Sequence, residues 1–100
     1  MQFAAGYLTD PDLVGLLRRC ASVLDEHPTR CIILKESVTS SPEQAFYLDR
    51  EDNNVIRGRE YFRALIGLAG LDVALEVDQK PWPAGLYPLV AFLCVPKGTA

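Results

Sequence analysis

The stretch Cys31–Ser37, CIILKES, constrains the fold more than any other. Cys31, Ile32, Ile33 and Leu34 form an unbroken apolar run, with Pro28 upstream and a Ser/Thr/Pro cluster downstream. A run this short, β-branched and bounded by breakers predicts a strand buried on both faces. Such strands are typical of parallel sheets with helices on each side. The run turns polar at Lys35, Glu36 and Ser37. In open α/β sheets the carboxyl ends of strands are where ligands bind. Beyond that end lies an acidic segment, LDREDNN at Leu48–Asn54.

The flanking segments read in order. Met1–Leu8 is apolar and starts abruptly, like the tail of a buried element. Thr9, Asp10 and Pro11 make a helix start, a capping side chain followed by proline in the first turn. Leu13, Leu17, Cys20/Ala21 and Leu24 then recur at helical spacing, so an amphipathic helix of about four turns covers one sheet face. Glu26, His27 and Pro28 end it, and the strand comes next at about Arg30–Glu36. Val38–Gln44 is a loop by composition, with Phe46, Tyr47 and Leu48 packing it down. A second helix runs from about Gly58 to Ala69, closed by Gly70 at a position suited to a left-handed residue. Tyr61 and Phe62 read as core, and Arg57, Arg59 and Arg63 as solvated helix surface. Leu71–Val77 and Leu86–Val95 are strands without a helix between them, hence an antiparallel hairpin, with Pro88 at a strand start or an unpaired position and Trp82 as a loop anchor.

The predicted fold class is therefore α/β, in the order helix, strand, helix, strand, strand, with a terminal antiparallel hairpin. Three recognisable strands make a thin sheet. The strand at Cys31–Leu34 needs a neighbour on both sides and the chain offers one. The residues alone predict residues 1–100 to be one partial domain, the C-terminal half of a larger α/β domain.

Composition excludes some classes. A net charge of −3 gives no general attraction to phosphate backbones or anionic lipid, which weighs against nucleic-acid and membrane partners. No segment approaches the ~18 apolar residues of a membrane span, and Met1–Thr9 has neither the basic start nor the apolar run of a signal peptide. Cys20, Cys31 and Cys94 are odd in number and widely spaced, without a CxxC pair; they read as small buried hydrophobes in a reducing compartment. His27 is the single histidine and has no second ligand nearby in sequence, so no metal site is expected.

Taken together, MQFAAGYLTDPDLVGLLRRC, CIILKES, LDREDNNVIR and LIGLAGL resemble the C-terminal half of the alpha-N-terminal protein methyltransferase family. The resemblance runs from Met1 to about Val95. Its most specific pieces are GYLTD followed by LLRRC, and LDxxDxxVxR at Leu48–Arg57. The family's counterparts have the form QW..GHLTD, LRRC, IKDN, LDDVD, R and SAGL. The resemblance implies a class I, Rossmann-like methyltransferase sheet that uses S-adenosylmethionine. Met1–Phe3 would then end the fourth strand, the CIILKES strand would be the fifth, and the hairpin the reversed sixth and seventh. No GxGxG-like stretch occurs in the chain, so the resemblance implies an incomplete cofactor site.

By the same resemblance Gln2 matches a glutamine that contacts the cofactor. Phe3 stands where the family has a tryptophan lining the substrate channel, Tyr7 where it has a histidine, and Ser37 where it has an asparagine that holds the substrate's N-terminus. Asp49 and Asp52 match two loop aspartates that engage the peptide's terminal amine. The implied substrate is a protein N-terminus of the X-Pro-Lys type, in the cytoplasm or nucleus. An α-amine has a pKa near ~8 and attacks only when neutral, so a carboxylate beside it can bind the cation and accept its proton. Asp52 is the candidate for that role, Asp49 its orienting partner, and Tyr7 a hydrogen-bond donor in the same centre. Read without the resemblance, Asp49–Asp52 is a solvated polar loop and Tyr7 a half-buried tyrosine before a helix. Two other functions stay open: a non-catalytic module that docks basic protein N-termini, and a small α/β protein that self-associates through an exposed sheet edge.

Overall fold

The computed structural model describes residues 5–25, 31–41, 43–50 and 54–98. A 3₁₀ turn, Ala5–Tyr7, leads into helix α1, Asp10–Asp25. Strand β1, Ile32–Ser37, is followed by β2, Phe46–Asp49, and β3, Asn54–Arg57. Helix α2, Arg59–Leu68, precedes β4, Leu71–Asp78, and β5, Leu89–Pro96. The strands form one sheet of order β1-β5-β4 and a separate β2-β3 hairpin.

Local chemistry sets the helix ends. The Asp12 N–H donates to Thr9 Oγ1 at 3.3 Å, the cap expected ahead of Pro11. Helix α2 starts directly from Gly58, without a side-chain cap, and closes on Gly70 at φ 85°. A left-handed residue there costs glycine nothing sterically.

Both pairings of β5 are antiparallel: Leu34 stands opposite Phe92, and Phe92 opposite Glu76. The β4–β5 ladder is the terminal hairpin expected from the lack of an intervening helix, with an irregularity between Val73 and Leu75. Pro88 falls just before β5, where its carbonyl accepts the Val38 N–H at 2.8 Å. Trp82 anchors the connecting loop through Nε1, which donates to the Tyr87 carbonyl at 2.9 Å.

One core joins the inner faces of both helices to one face of the sheet, through Leu13, Leu17, Leu34, Ile66, Val90 and Phe92. Phe62 stacks on Phe92 at 5.5 Å between ring centroids, in a tilted geometry that suits the aromatic quadrupole.

Several expectations change. The CIILKES strand is not buried on both faces. Leu34 and Glu36 point into the core, while Ile33 is 51 % exposed and Cys31 lies outside the strand and exposed. Its described strand partner is antiparallel, and the described helices cover one face only. Of the cysteines, Cys94 alone is buried, and burial pushes its thiol up to about 11. Phe46, Tyr47 and Leu48 do not pack down a loop. They form β2 with Asp49, and each of the three residues is 45–57 % exposed. Tyr61 packs against the core but is only half-buried, and its hydroxyl donates to Asp10. Arg57 is no solvated helix residue. It ends β3 and is 1 % exposed. The expected strand stump at Met1–Phe3 lies outside the described residues.

Candidate functional site

The candidate residues gather around the 3₁₀ turn Ala5–Tyr7. This turn is held from two sides. Glu36, buried at the end of β1, accepts the Ala5 N–H at 2.8 Å. Arg57, at the end of β3, donates to the Ala5 carbonyl at 2.9 Å and to the Leu8 carbonyl at 2.7 Å. Its Nε also donates to Asp10 Oδ1 at 2.9 Å. Tyr61 donates its hydroxyl to the other oxygen of the same carboxylate. That hydrogen bond, with a smaller effect of burial, raises the Tyr61 pKa above its ordinary value.

The β2-β3 hairpin brings the acidic segment to this turn. Asp49 pairs with Asn54 across the hairpin; Asp52, between them in sequence, lies outside the described residues. A cavity of about 540 Å³ opens between turn and hairpin, lined by Tyr7, Asp10, Phe46, Asp49, Asn54 and Tyr61 among others. A second, of about 190 Å³, is lined by Tyr7, Glu36, Ser37, Asn54 and Phe62. Tyr7 belongs to both cavities and is more than half exposed.

Thus Tyr7, Ser37 and Asp49, far apart in sequence, come together around one turn. Gln2, Phe3 and Asp52 lie outside the described residues. Sequence reasoning missed Asn54, which lines both cavities and whose Oδ1 is buried with no hydrogen-bond partner among the described residues. A buried acceptor left unpaired costs free energy, and this one packs against the backbone of Gly6. The signal for it was its place at the end of LDREDNN, beside the aspartates. A cavity of about 690 Å³ between residues 39–45 and α2 touches none of the expected residues. Among the described residues no group of three or more His, Cys, Asp or Glu could hold a metal ion, and no helix is long and apolar enough to cross a membrane.

The sheet and the helix layer have the fold of part of a methyltransferase. A solved SAM-dependent methyltransferase from Leishmania major superposes with a TM-score of 0.83 at 31 % identity, over 94 % of this chain and 36 % of that one. The mitomycin 7-O-methyltransferase shares the fold at a TM-score of 0.68 and 17 % identity, over 95 % of this chain and 28 % of that one. The chain belongs to the AdoMet dependent proline di-methyltransferase family, whose sequence model matches residues 1–94. It is 35 % identical over 95 residues to the alpha N-terminal protein methyltransferase 1 of Drosophila melanogaster, covering 95 % of this chain and 33 % of that protein. It is 33 % identical over 92 residues to the N-terminal Xaa-Pro-Lys N-methyltransferase 1-A of Xenopus laevis, covering 92 % and 39 %. The chain therefore spans between a third and two-fifths of the length of these two relatives.

The seven glycines, at 6, 15, 58, 67, 70, 85 and 98, include no glycine-rich turn from a strand into a helix. Those with positive φ are Gly70 after α2, Gly85 before β5 and Gly98 after β5.

Proposed function

We propose that this chain supplies the amine-binding side of a methyltransferase that acts on the α-amino group of protein N-termini of the X-Pro-Lys type. One observation carries the reading: Tyr7, Ser37 and Asp49 line two cavities that meet at Tyr7, together with the unpartnered acceptor of Asn54. An N-terminal ammonium brings three N–H donors and a positive charge. Acceptors from Ser37 and Asn54 and the carboxylate of Asp49 match that chemistry. Asp52, carried over from the family pattern, takes the proton that the amine must lose before it attacks. Tyr7 offers a hydroxyl that orients amine or carboxylate. Gln2 and Phe3, carried over in the same way, serve the cofactor and the channel wall. The methyl donor, S-adenosylmethionine, is held by a protein longer than these 100 residues, as the relatives' lengths suggest. Such an enzyme works in the cytoplasm or nucleus, where its protein substrates are made and assembled.

Calorimetry tests this. The 100-residue chain gives no heat with S-adenosylmethionine, whereas the intact protein carrying it binds the cofactor and methylates a Pro-Lys peptide. Asp52→Asn in that protein lowers the methylation rate by about a hundredfold, the usual range for a lost proton acceptor. Full cofactor affinity in the 100 residues, or unchanged activity in Asp52→Asn, refutes the assignment.

A second reading has its own observation. Ile33, Leu75 and Val77 expose an apolar strip on the sheet face away from the described helices. Taken alone in solution, the 100-residue chain self-associates through this strip. Light scattering that finds only monomer at high concentration removes this reading.

A further inference from the structure

Tyr7, Ser37 and Asp49 sit on three separate elements, so something must set their spacing. We propose that Arg57 is the positioning residue of the amine site, a role that rests on the proposed function. Each of the three elements is tied to this one residue.

Through its side chain, Arg57 reaches the turn bearing Tyr7. Nη1 and Nη2 donate to the carbonyls of Ala5 and Leu8, and Nε to Asp10 Oδ1 at the head of α1. Through its backbone, Arg57 faces Phe46 across the hairpin that carries Asp49. Its carbonyl accepts the Thr39 N–H at 3.2 Å, and it forms a parallel bridge with Val38, next to Ser37. Opposite, Glu36 holds the Ala5 N–H. The turn is thus clamped between a buried guanidinium and a buried carboxylate from two different strands.

The planar fork of arginine is what this geometry requires. Three acceptors on two different elements are met at 2.7–2.9 Å by three different nitrogens fixed in one plane. A lysine keeps the charge but offers one nitrogen, and cannot reach all three. The ring of Phe62, 6.0 Å from the guanidinium carbon, packs one side of the fork. Arg57 borders the 540 Å³ cavity but is 1 % exposed, and its three side-chain nitrogens are already committed to Asp10, Ala5 and Leu8, so in this role it acts through them and not on the amine. It acts by keeping Tyr7 and Asp49 in register.

The test uses the intact protein that carries this chain, a Pro-Lys peptide and steady-state kinetics, at a temperature where circular dichroism shows each variant folded. Arg57→Lys is expected to lower kcat by about a hundredfold, the scale of a misplacement near 1 Å, and to raise the peptide KM. A purely structural role would leave KM unchanged and lower kcat only by the unfolded fraction. Asp10→Asn keeps both carbonyl bonds and loosens one arm, so it is expected to lose about tenfold in kcat/KM; it decides the matter if Arg57→Lys does not fold. Arg63→Lys, on the far side of α2, serves as the unaffected control. Wild-type kinetics in the folded Arg57→Lys, or failing that in Asp10→Asn, overturn the proposal. A wild-type protein that methylates no peptide instead overturns the functional reading on which it rests.

Discussion

Gly6 and Asn54 lie face to face, so close that a β-carbon on residue 6 would overlap the Asn54 side-chain amide and press on the Val55 carbonyl at 3.1 Å. The turn and the hairpin therefore meet through a glycine, and a larger residue there must displace the Asn54 side chain and shift the Val55 backbone. Gly6→Ala is expected to destabilise the protein by about 1–3 kcal/mol, the usual cost of overpacking. It should also push Asn54 away from Tyr7. The check is a thermal melt, paired with peptide kinetics below the melting temperature. Loss of activity while the variant is still folded is the expected result.

How much of this was legible beforehand depends on how local the cause is. Thr9, Asp10 and Pro11 announced α1 because capping is a matter of neighbours, and the hairpin of β4 and β5 followed from the missing crossover. The β2-β3 hairpin was not legible. Phe46, Tyr47 and Leu48 show no alternation, and the hairpin's tip has no two-residue turn signature. Arg57 was hidden for a related reason. Its side-chain acceptors lie 47 to 52 positions away, so nothing beside it in sequence marks it as buried. The family pattern did lead to Tyr7, Ser37 and Asp49, which the fold brings together. It gave no warning that Asn54 would hold an unpaired acceptor between them.

Tyr7 lines both cavities, with Gly6, Asn54 and Val55, and it stands where the family pattern has histidine. A phenol can donate a hydrogen bond there but is a poor base at neutral pH. Tyr7→Phe is therefore expected to lower kcat/KM by about ten- to a hundredfold, the worth of one hydrogen bond to a charged group. Tyr7→His should retain activity and add a dependence on pH near ~6.5, where an imidazole titrates. Rate profiles of the three proteins between mildly acidic and neutral pH check this. An unchanged Tyr7→Phe removes the hydroxyl from the site.

Acid should loosen the outer face of α2. Arg63 donates to Glu76 at 2.8 and 2.9 Å, and Arg59 to Glu76 at 3.2 Å and, more closely, to Asp78. The Arg63 bond, followed by that of Arg59, lowers the Glu76 pKa, and the Arg59 bond lowers that of Asp78. Folded values below the unfolded ones mean stability that is complete above pH ~4 and lost as pH falls through the depressed values. The groups are substantially exposed, so each pair contributes at most about 1 kcal/mol. Melting temperatures should fall from pH 5 to pH 3 in the wild type (about the unfolded carboxylate values). Glu76→Gln should start lower and fall less. Equal slopes in the two proteins would show that the network contributes nothing.

Asp49 borders the larger cavity from the hairpin side, partly buried, with Tyr7 and Asn54 across from it. If its carboxylate holds the terminal ammonium, removing its charge should weaken peptide binding whatever the third residue of the peptide is. Asp49→Asn is expected to raise the peptide KM by about tenfold with kcat changed less than about twofold, the pattern of binding lost equally from ground and transition states. A peptide with glutamine in place of the lysine should lose binding separately, so the two losses should add. Measuring KM for both peptides with both proteins closes this cycle. If Asp49→Asn costs nothing further with the glutamine peptide, Asp49 meets the lysine and not the terminal amine.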